Sequence, residues 1–438
     1  MQKSTSTNQQ LNNLIEFRQA IYEHGLQQEQ DAQFELLDAL TANQGIRSFP
    51  ELSLSPFFRR RWCSAYAAVE RGRQNREWLR AYLAENVTAS VFDRVLLALD
   101  VAAWPRPDAV TLPDRQYVHS STQDVTGQDI VVGQPYSLLS WVAAQRESWT
   151  LPVDTQRVAS ERTEVEVGVA QIKRFCAQRG AALQENLHVF VADGRYGNHQ
   201  FLGPLRHLPC GFLVRLRCDR VLYGPPGPYS GFGRPRKHGD RFAFKEPETW
   251  GEPEQTITVT DERYGQVEIS GWHNLHARED AATVFAVLRI QNHSQRDNPP
   301  DPIWLAWQGP SMALDLLWDF YLQRPTIESA IRWRKQLLHW TLPEFQDNPQ
   351  ADNWSWLVSL AQWQLYLARP VTPDCPLPWQ SPQSEQTPHR VQRGIWVLFL
   401  QIKTPAAPPK TRGKSPGWPR GQPRRRRQRQ EIVKKGDP

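Results

Sequence analysis

Apolar residues recur at helical spacing through the first part of the chain, in NLIEFRQAIYEHGL, in FELLDALTAN and again in WCSAYAAVERGRQNREWLRAYLAE. Intervals of three and four place them on one helix face, so residues 1–88 are predicted to form a small helical domain. SFPELSLSP separates the first helices from a stretch holding Arg59, Arg60, Arg61, Arg71, Arg73, Arg76 and Arg80. Such a basic face suits DNA, and it also suits a solvated helix surface.

From Val91 the pattern changes to short apolar runs. VFDRVLLALD, QYVHSS, IVVGQPYSLLSWVA, LHVFVADGRYG and CGFLVRLRCD read as strands, the first ending at Asp100. SERTEVEVGVAQIKRFCAQRG reads as an amphipathic helix and NHQFLGPLRHL as a short one. Interleaved strands and helices predict an α/β domain with a mixed sheet over residues 89–218. Residues 219–301 interrupt it with the loop YGPPGPYSGFGRPRKHG and the alternating runs QTITVT, GQVEISGW and ATVFAVLRIQ, a β-rich insertion. IWLAW and a helical stretch from Ser311 to Trp340 restore the α/β style over residues 302–350. Residues 351–402 add a Trp-rich helix and the apolar run GIWVLFLQI.

Charge divides the chain unevenly. Residues 403–438 hold twelve Lys/Arg and two acids, a balance of +10 within a whole-chain charge of +6, which leaves −4 for residues 1–402. This tail is too rich in Pro, Gly and charge to build a core, so it is predicted to be disordered and attractive to polyanions. No run approaches the roughly 20 apolar residues that span a bilayer, and the polar start MQKSTSTNQQLNN has no signal-peptide core, so no membrane partner is expected. Five cysteines without a CxxC pair point to a reducing cytoplasm. GFGRPRKHG is not a phosphate loop, so no nucleotide cofactor is expected. His273 and His276 sit three apart on a strand-like segment, on opposite faces, and make a poor metal pair.

The candidate chemistry centres on YLQRPTIESAIRWRKQ, with Tyr321, Arg324, Glu328 and Lys335. Offsets of 3, 7 and 14 fall within about 60° of one another on a continuous helix, though Pro325 starts a new helix or kinks the old one. Asp100 and Asp193 each stand where a buried strand gives out, held with little freedom. Three oxygen ligands with Glu328 would suit Mg²⁺, and a pair of such ions roughly 4 Å apart would serve in-line phosphoryl displacement.

The spacing Tyr-x2-Arg-x3-Glu-x6-Lys resembles the signature of the DDE transposases of bacterial insertion sequences, in the branch named for those four letters. VFVADGRYGN around Asp193 is similar to that branch's second aspartate motif, and Asp100 matches the first. The β insertion, VVGQPYSLLSWV, GRPRKHG and GKSPGWPRG carry the resemblance along essentially the whole chain. It implies an RNase H-like catalytic core in which Asp100, Asp193 and Glu328 hold two Mg²⁺ (or Mn²⁺) ions. Arg324 and Lys335 would contact phosphates and Tyr321 would position the same strand. The implied reaction is cleavage at the element's ends and joining of the freed 3′-OH to target DNA, by a homodimer that pairs the inverted repeats near the bacterial nucleoid. Relatives with a β insertion hold a flipped base on an aromatic residue, a role for Trp304 or Trp307 here; the alternative is that these rings pack in the core. The chain departs from the pattern at Ala102, where relatives often carry a hydroxyl residue. Other readings of the same residues are a catalytically silent DNA-binding repressor and a structure-selective nuclease.

Overall fold

The computed structural model describes residues 2–119, 130–145, 147–229, 231, 233–293, 301–411, 417, 421–423 and 427–434. The helical periodicity at the start becomes α1 (Gln2–Ala20), α2 (Gln30–Thr41), α3 (Trp62–Glu70) and α4 (Arg76–Glu85). Asn75 caps α4 by accepting the backbone N–H of Trp78. The buried Arg18 guanidinium ties the bundle together, bonding Asp38 of α2 at 2.5 Å and Gln364 at 2.6 Å.

The sheet begins with β1 (Val95–Pro105), β2 (Arg115–His119), β3 (Ile130–Val142) and β4 (Thr150–Arg157). Then come α5 (Glu164–Arg179), α6 (Ala182–Glu185), β5 (His188–Ala192), α7 (His199–Leu205) and β6 (Cys210–Leu216). Thr163 and Glu166 close a reciprocal capping box that fixes the start of α5. β1 pairs antiparallel with β3 and parallel with β5, and β5 continues parallel to β6. The predicted mixed sheet is therefore present. TLPVDTQR adds β4 on β3, a strand that the apolar pattern did not announce because its Pro and polar residues broke the alternation.

The inserted segment supplies β7 (Val221–Tyr223), β8 (Arg241–Ala243), β9 (Gln255–Asp261), β10 (Gly265–Ala277) and β11 (Asp280–Asn292). β12 (Ile303–Gln308) pairs with β11 on one side and β6 on the other, so the insertion extends the core sheet. Trp304 lies in this junction, 2% exposed and stacked on Phe244 at 4.1 Å, and Trp307 packs over Gly211. Both rings are core, which removes them as holders of a flipped base.

The chain then forms α8 (Leu314–Gln323), α9 (Pro325–Gln336), α10 (Asn348–Ala368) and α11 (Pro388–Gln401). No helix among the described residues is long and apolar enough to cross a membrane. Successive strand residues face opposite sides. Ser137 of β3 bonds Gln171 of α5 at 2.6 Å, whereas Thr155, paired with its neighbour Leu138, bonds Ser359 of α10 at 2.9 Å. Hence α5 and α10 cover opposite faces. Asp100 also pairs with Leu138, which puts its side chain on the α9–α10 face.

Two expectations change. The predicted disorder of the tail does not hold for its described residues. Ala406 is buried, Ala407 N–H donates to Asp31 at 2.8 Å, Arg427 pairs with Asp347 at 3.0 Å, and β13 (Ile432–Val433) adds a strand beside β2. Backbone pairing and ion pairs bind this stretch without any core of its own; the rest of GKSPGWPRGQPRRRR lies mainly outside the described residues. The arginine stretch of the helical domain is also largely engaged. Arg59 and Arg60 pair with Glu35, Arg71 with Glu29, Arg76 with Asp352 and Arg80 with Asp154.

Candidate active site

Asp193 follows the last residue of β5, Ala192, whose parallel partner is Leu99. Continuing that register by one residue brings Asp193 level with Asp100. β1 itself runs on to Pro105, so Asp100 stands at mid-strand and not at a strand end. The antiparallel neighbour β3 supports β1 beyond the point where β5 stops, which the apolar pattern of β1 alone does not show. Asp193 Oδ1 accepts the N–H of Arg195 at 3.0 Å, closing the turn, and Asp100 Oδ1 accepts that of Val101 at 2.8 Å.

Both aspartates line a cavity of about 1160 Å³, together with Arg324, Glu328 and Lys335. Arg324 lies between α8 and α9 with right-handed helical dihedrals, and Pro325 opens the first turn of α9. Thr326 Oγ1 donates to the carbonyl of Gln323 at 2.7 Å, satisfying an acceptor at the end of α8. Arg324 reaches both ways, with Glu328 at 3.0 Å and Asp100 at 3.9 Å. Tyr321 is the exception. It is 9% exposed, stacks on Trp318 at 5.9 Å and is absent from the cavity wall, and its hydroxyl meets Arg215, which does line it. The other three motif residues share one wall, as helical spacing predicts.

At the acidic pair itself the electrostatics favour a positive occupant. Burial pushes the Asp100 carboxyl up to about 6; Arg324 opposes that rise and Asp193 adds to it. Tyr196 lies beneath the pair with its hydroxyl buried and without a hydrogen-bond partner among the described residues. Its pKa is raised by burial and then by Asp100 and Asp193. Arg195 loses some charge preference to burial, but Glu164 at 3.4 Å and Asp193 more than restore it. These features fit an oxygen-bound hard cation at Asp100 and Asp193. The third carboxylate remains with Arg324, half-exposed, and no group of three His, Cys, Asp or Glu among the described residues is gathered tightly enough to hold a metal.

Eight Lys/Arg and five acids line the cavity. Arg332 follows Glu328 by one helical turn, so periodicity alone could have found it; Arg195 and Asn198 were visible in the ADGRYGN string. Lys245 comes from the insertion and carried no signal in the sequence. Asp108 and Asp114 do not line this cavity, and Asp114 instead binds Arg157 at 2.5 Å. His273 is exposed while His276 is buried against His238, so they do not form a pair.

A mixed antiparallel–parallel sheet with an acidic pair on adjacent central strands and a cation-rich cavity above it is consistent with an RNase H-like phosphoryl-transfer core. The chain belongs to the family described as DDE superfamily endonuclease, which it matches over residues 22–278, more than half its length. That family is of endonuclease type, acts on DNA and generally uses divalent metal ions. The match includes Asp100 and Asp193 and stops short of Glu328. No curated protein matches the chain.

Proposed function

We propose that the protein is a transposase of the Tyr-Arg-Glu-Lys branch, cutting the ends of an insertion sequence and joining the 3′-OH to target DNA. The observation that carries this reading is the placement of Asp100 and Asp193 side by side, on one cavity with Glu328 and Lys335. Asp100, Asp193 and Glu328 would hold two Mg²⁺ (or Mn²⁺) ions. Bound there, such ions supply charge stabilisation at the phosphate and a lowered pKa for the attacking hydroxyl. Lys335 and Arg324 hold the phosphates of the end strand by charge-assisted hydrogen bonds. Tyr321 acts at one remove, supporting Arg215 from the core side of the wall. Glu328 leaves its ion pair with Arg324 when the site fills, which frees that guanidinium for phosphate. Two copies would pair the two inverted repeats of double-stranded DNA.

Glu328→Gln keeps the helix and most of its contacts and removes the charge. Mg²⁺-dependent cutting of element-end DNA, followed on a denaturing gel, should fall by more than about a hundredfold while DNA binding persists. Undiminished cutting would remove Glu328 from the site. A second reading, a silent DNA-binding descendant, draws on the absence of a gathered three-carboxylate cluster among the described residues. Lack of cutting by the unmodified protein in Mg²⁺ or Mn²⁺ would favour it. Cutting without joined products would instead indicate a nuclease that does not transfer strands.

A further inference from the structure

A second cavity, of about 710 Å³, opens beside the first. Asn198, Leu216, Arg217, Asp219 and Arg220 line both, so the two form one depression. It leads from the acidic pair past the end of β6 to β7, the start of α7 and the β10–β11 turn.

Its charge is not spent within the fold. Among the described residues, no ion pair engages Arg217, Arg220 or Arg278. Arg220 Nε is buried without a hydrogen-bond partner among them. Arg241 is committed to Glu246. Asp219 and Glu279 are the acids of the lining, and Glu279 lies 3.9 Å from His199. Cations remain in excess. Tyr223 contributes a partly buried ring beside them, 5.1 Å from His238. Guanidiniums along a groove together with an aromatic face are the means by which proteins hold single-stranded nucleic acid: charge follows the backbone and the ring stacks a base.

We propose that this second cavity takes a single-stranded DNA extension continuous with the strand held at the acidic pair. Its phosphates lie on Arg217, Arg220 and Arg278, and Tyr223 stacks a base. The inference rests on the reading of the first cavity as a DNA-cutting site. A strand whose phosphate sits at Asp100 and Asp193 must leave that site along some surface, and this groove begins there.

The test compares binding of a blunt duplex with binding of the same duplex carrying an oligo-dT tail at its 3′ or 5′ end. Fluorescence anisotropy at constant salt reads the affinities, and Mg²⁺-dependent cutting is measured in parallel. The wild type should bind one tailed duplex about tenfold more tightly than the blunt one. Arg278 is exposed and lines only the second cavity, so Arg278→Glu should abolish that preference without unfolding the protein. Tyr223→Leu should reduce it severalfold. Cutting by a wild type that shows no tail preference would overturn the groove and leave the cutting site standing. A preference that survives Arg278→Glu would also overturn it. Neither cutting nor tail preference would overturn both readings.

Discussion

Asp100 is a carboxylate that the fold makes reluctant to ionise. Burial raises its pKa from 3.8 to about 6, and Asp193 adds to the effect against the counter-pull of Arg324. The folded state therefore holds this proton more tightly than the unfolded chain does. Stability falls as pH rises from about 4 to about 6 and stays lowered above that, by about 3 kcal/mol. Asp100→Asn removes the penalty. In EDTA it should melt higher than the wild type at pH 7, and the two should converge near pH 4, as followed by circular dichroism. Added Mg²⁺ should raise the melting temperature of the wild type more than that of the variant. If the curves of the two proteins run parallel from pH 4 to 8, Asp100 does not carry the strained charge.

The element that presents Glu328 and Lys335 is α9, and its opposite face explains its rigidity. Arg334 is 1% exposed and donates to Ser359 at 2.9 Å, Gln362 at 2.9 Å and the Ser355 carbonyl at 2.6 Å, all on α10. Its guanidinium also covers the Trp340 ring at 4.8 Å. Trp333 adds a bond to Ser148 at 3.2 Å. Arg334→Ala leaves a cavity and takes the guanidinium from Gln362 Oε1, while Ser359 Oγ keeps Thr155 and the Ser355 carbonyl keeps Ser359 Oγ; it should cost about 3 kcal/mol in denaturant unfolding. Cutting should fall at temperatures where the variant is still folded, because Glu328 then loses its platform. A destabilisation within a few tenths of a kcal/mol would show that α10 does not set the position of α9. The motif face was legible in the sequence for Arg324, Glu328 and Lys335, because helical dihedrals at Arg324 keep the phase across Pro325. Tyr321 lies behind that wall, and the same spacing cannot tell a cavity wall from the apolar cluster beneath it.

On the scale of the whole molecule, the tail is tethered to the body at several points. Arg59 Nη2 donates to the Ala406 carbonyl at 2.8 Å, and Gln430 N–H donates to that of Val110 at 2.8 Å. Twelve Lys/Arg fall within residues 403–438. Deleting residues 408–438 should weaken binding to random duplex and lower the slope of log affinity against log salt. An unchanged slope would mean that the tail serves the fold alone. The sheet is the other large-scale feature. Because β12 bridges β6 and β11, the insertion is anchored in the core, and its Lys245, Arg241 and Arg278 are held at fixed places around the two cavities.

Period and composition by themselves determined the helical start, the α/β core, the β-rich insertion and the uneven charge, since each is a local pattern set by which faces are buried. They also picked out the residue types of the candidate site: two aspartates tied to buried strands and a glutamate and lysine seven apart. Tertiary structure alone decided that Asp100 sits at mid-strand level with Asp193, because register depends on pairing with β3 and β5. It alone placed Arg324 between Asp100 and Glu328, put Trp304 and Trp307 in the core, and joined the insertion to the sheet. The physical reason is the same in each case. Burial and charge partners are set by contacts between distant segments, and no local periodicity encodes them.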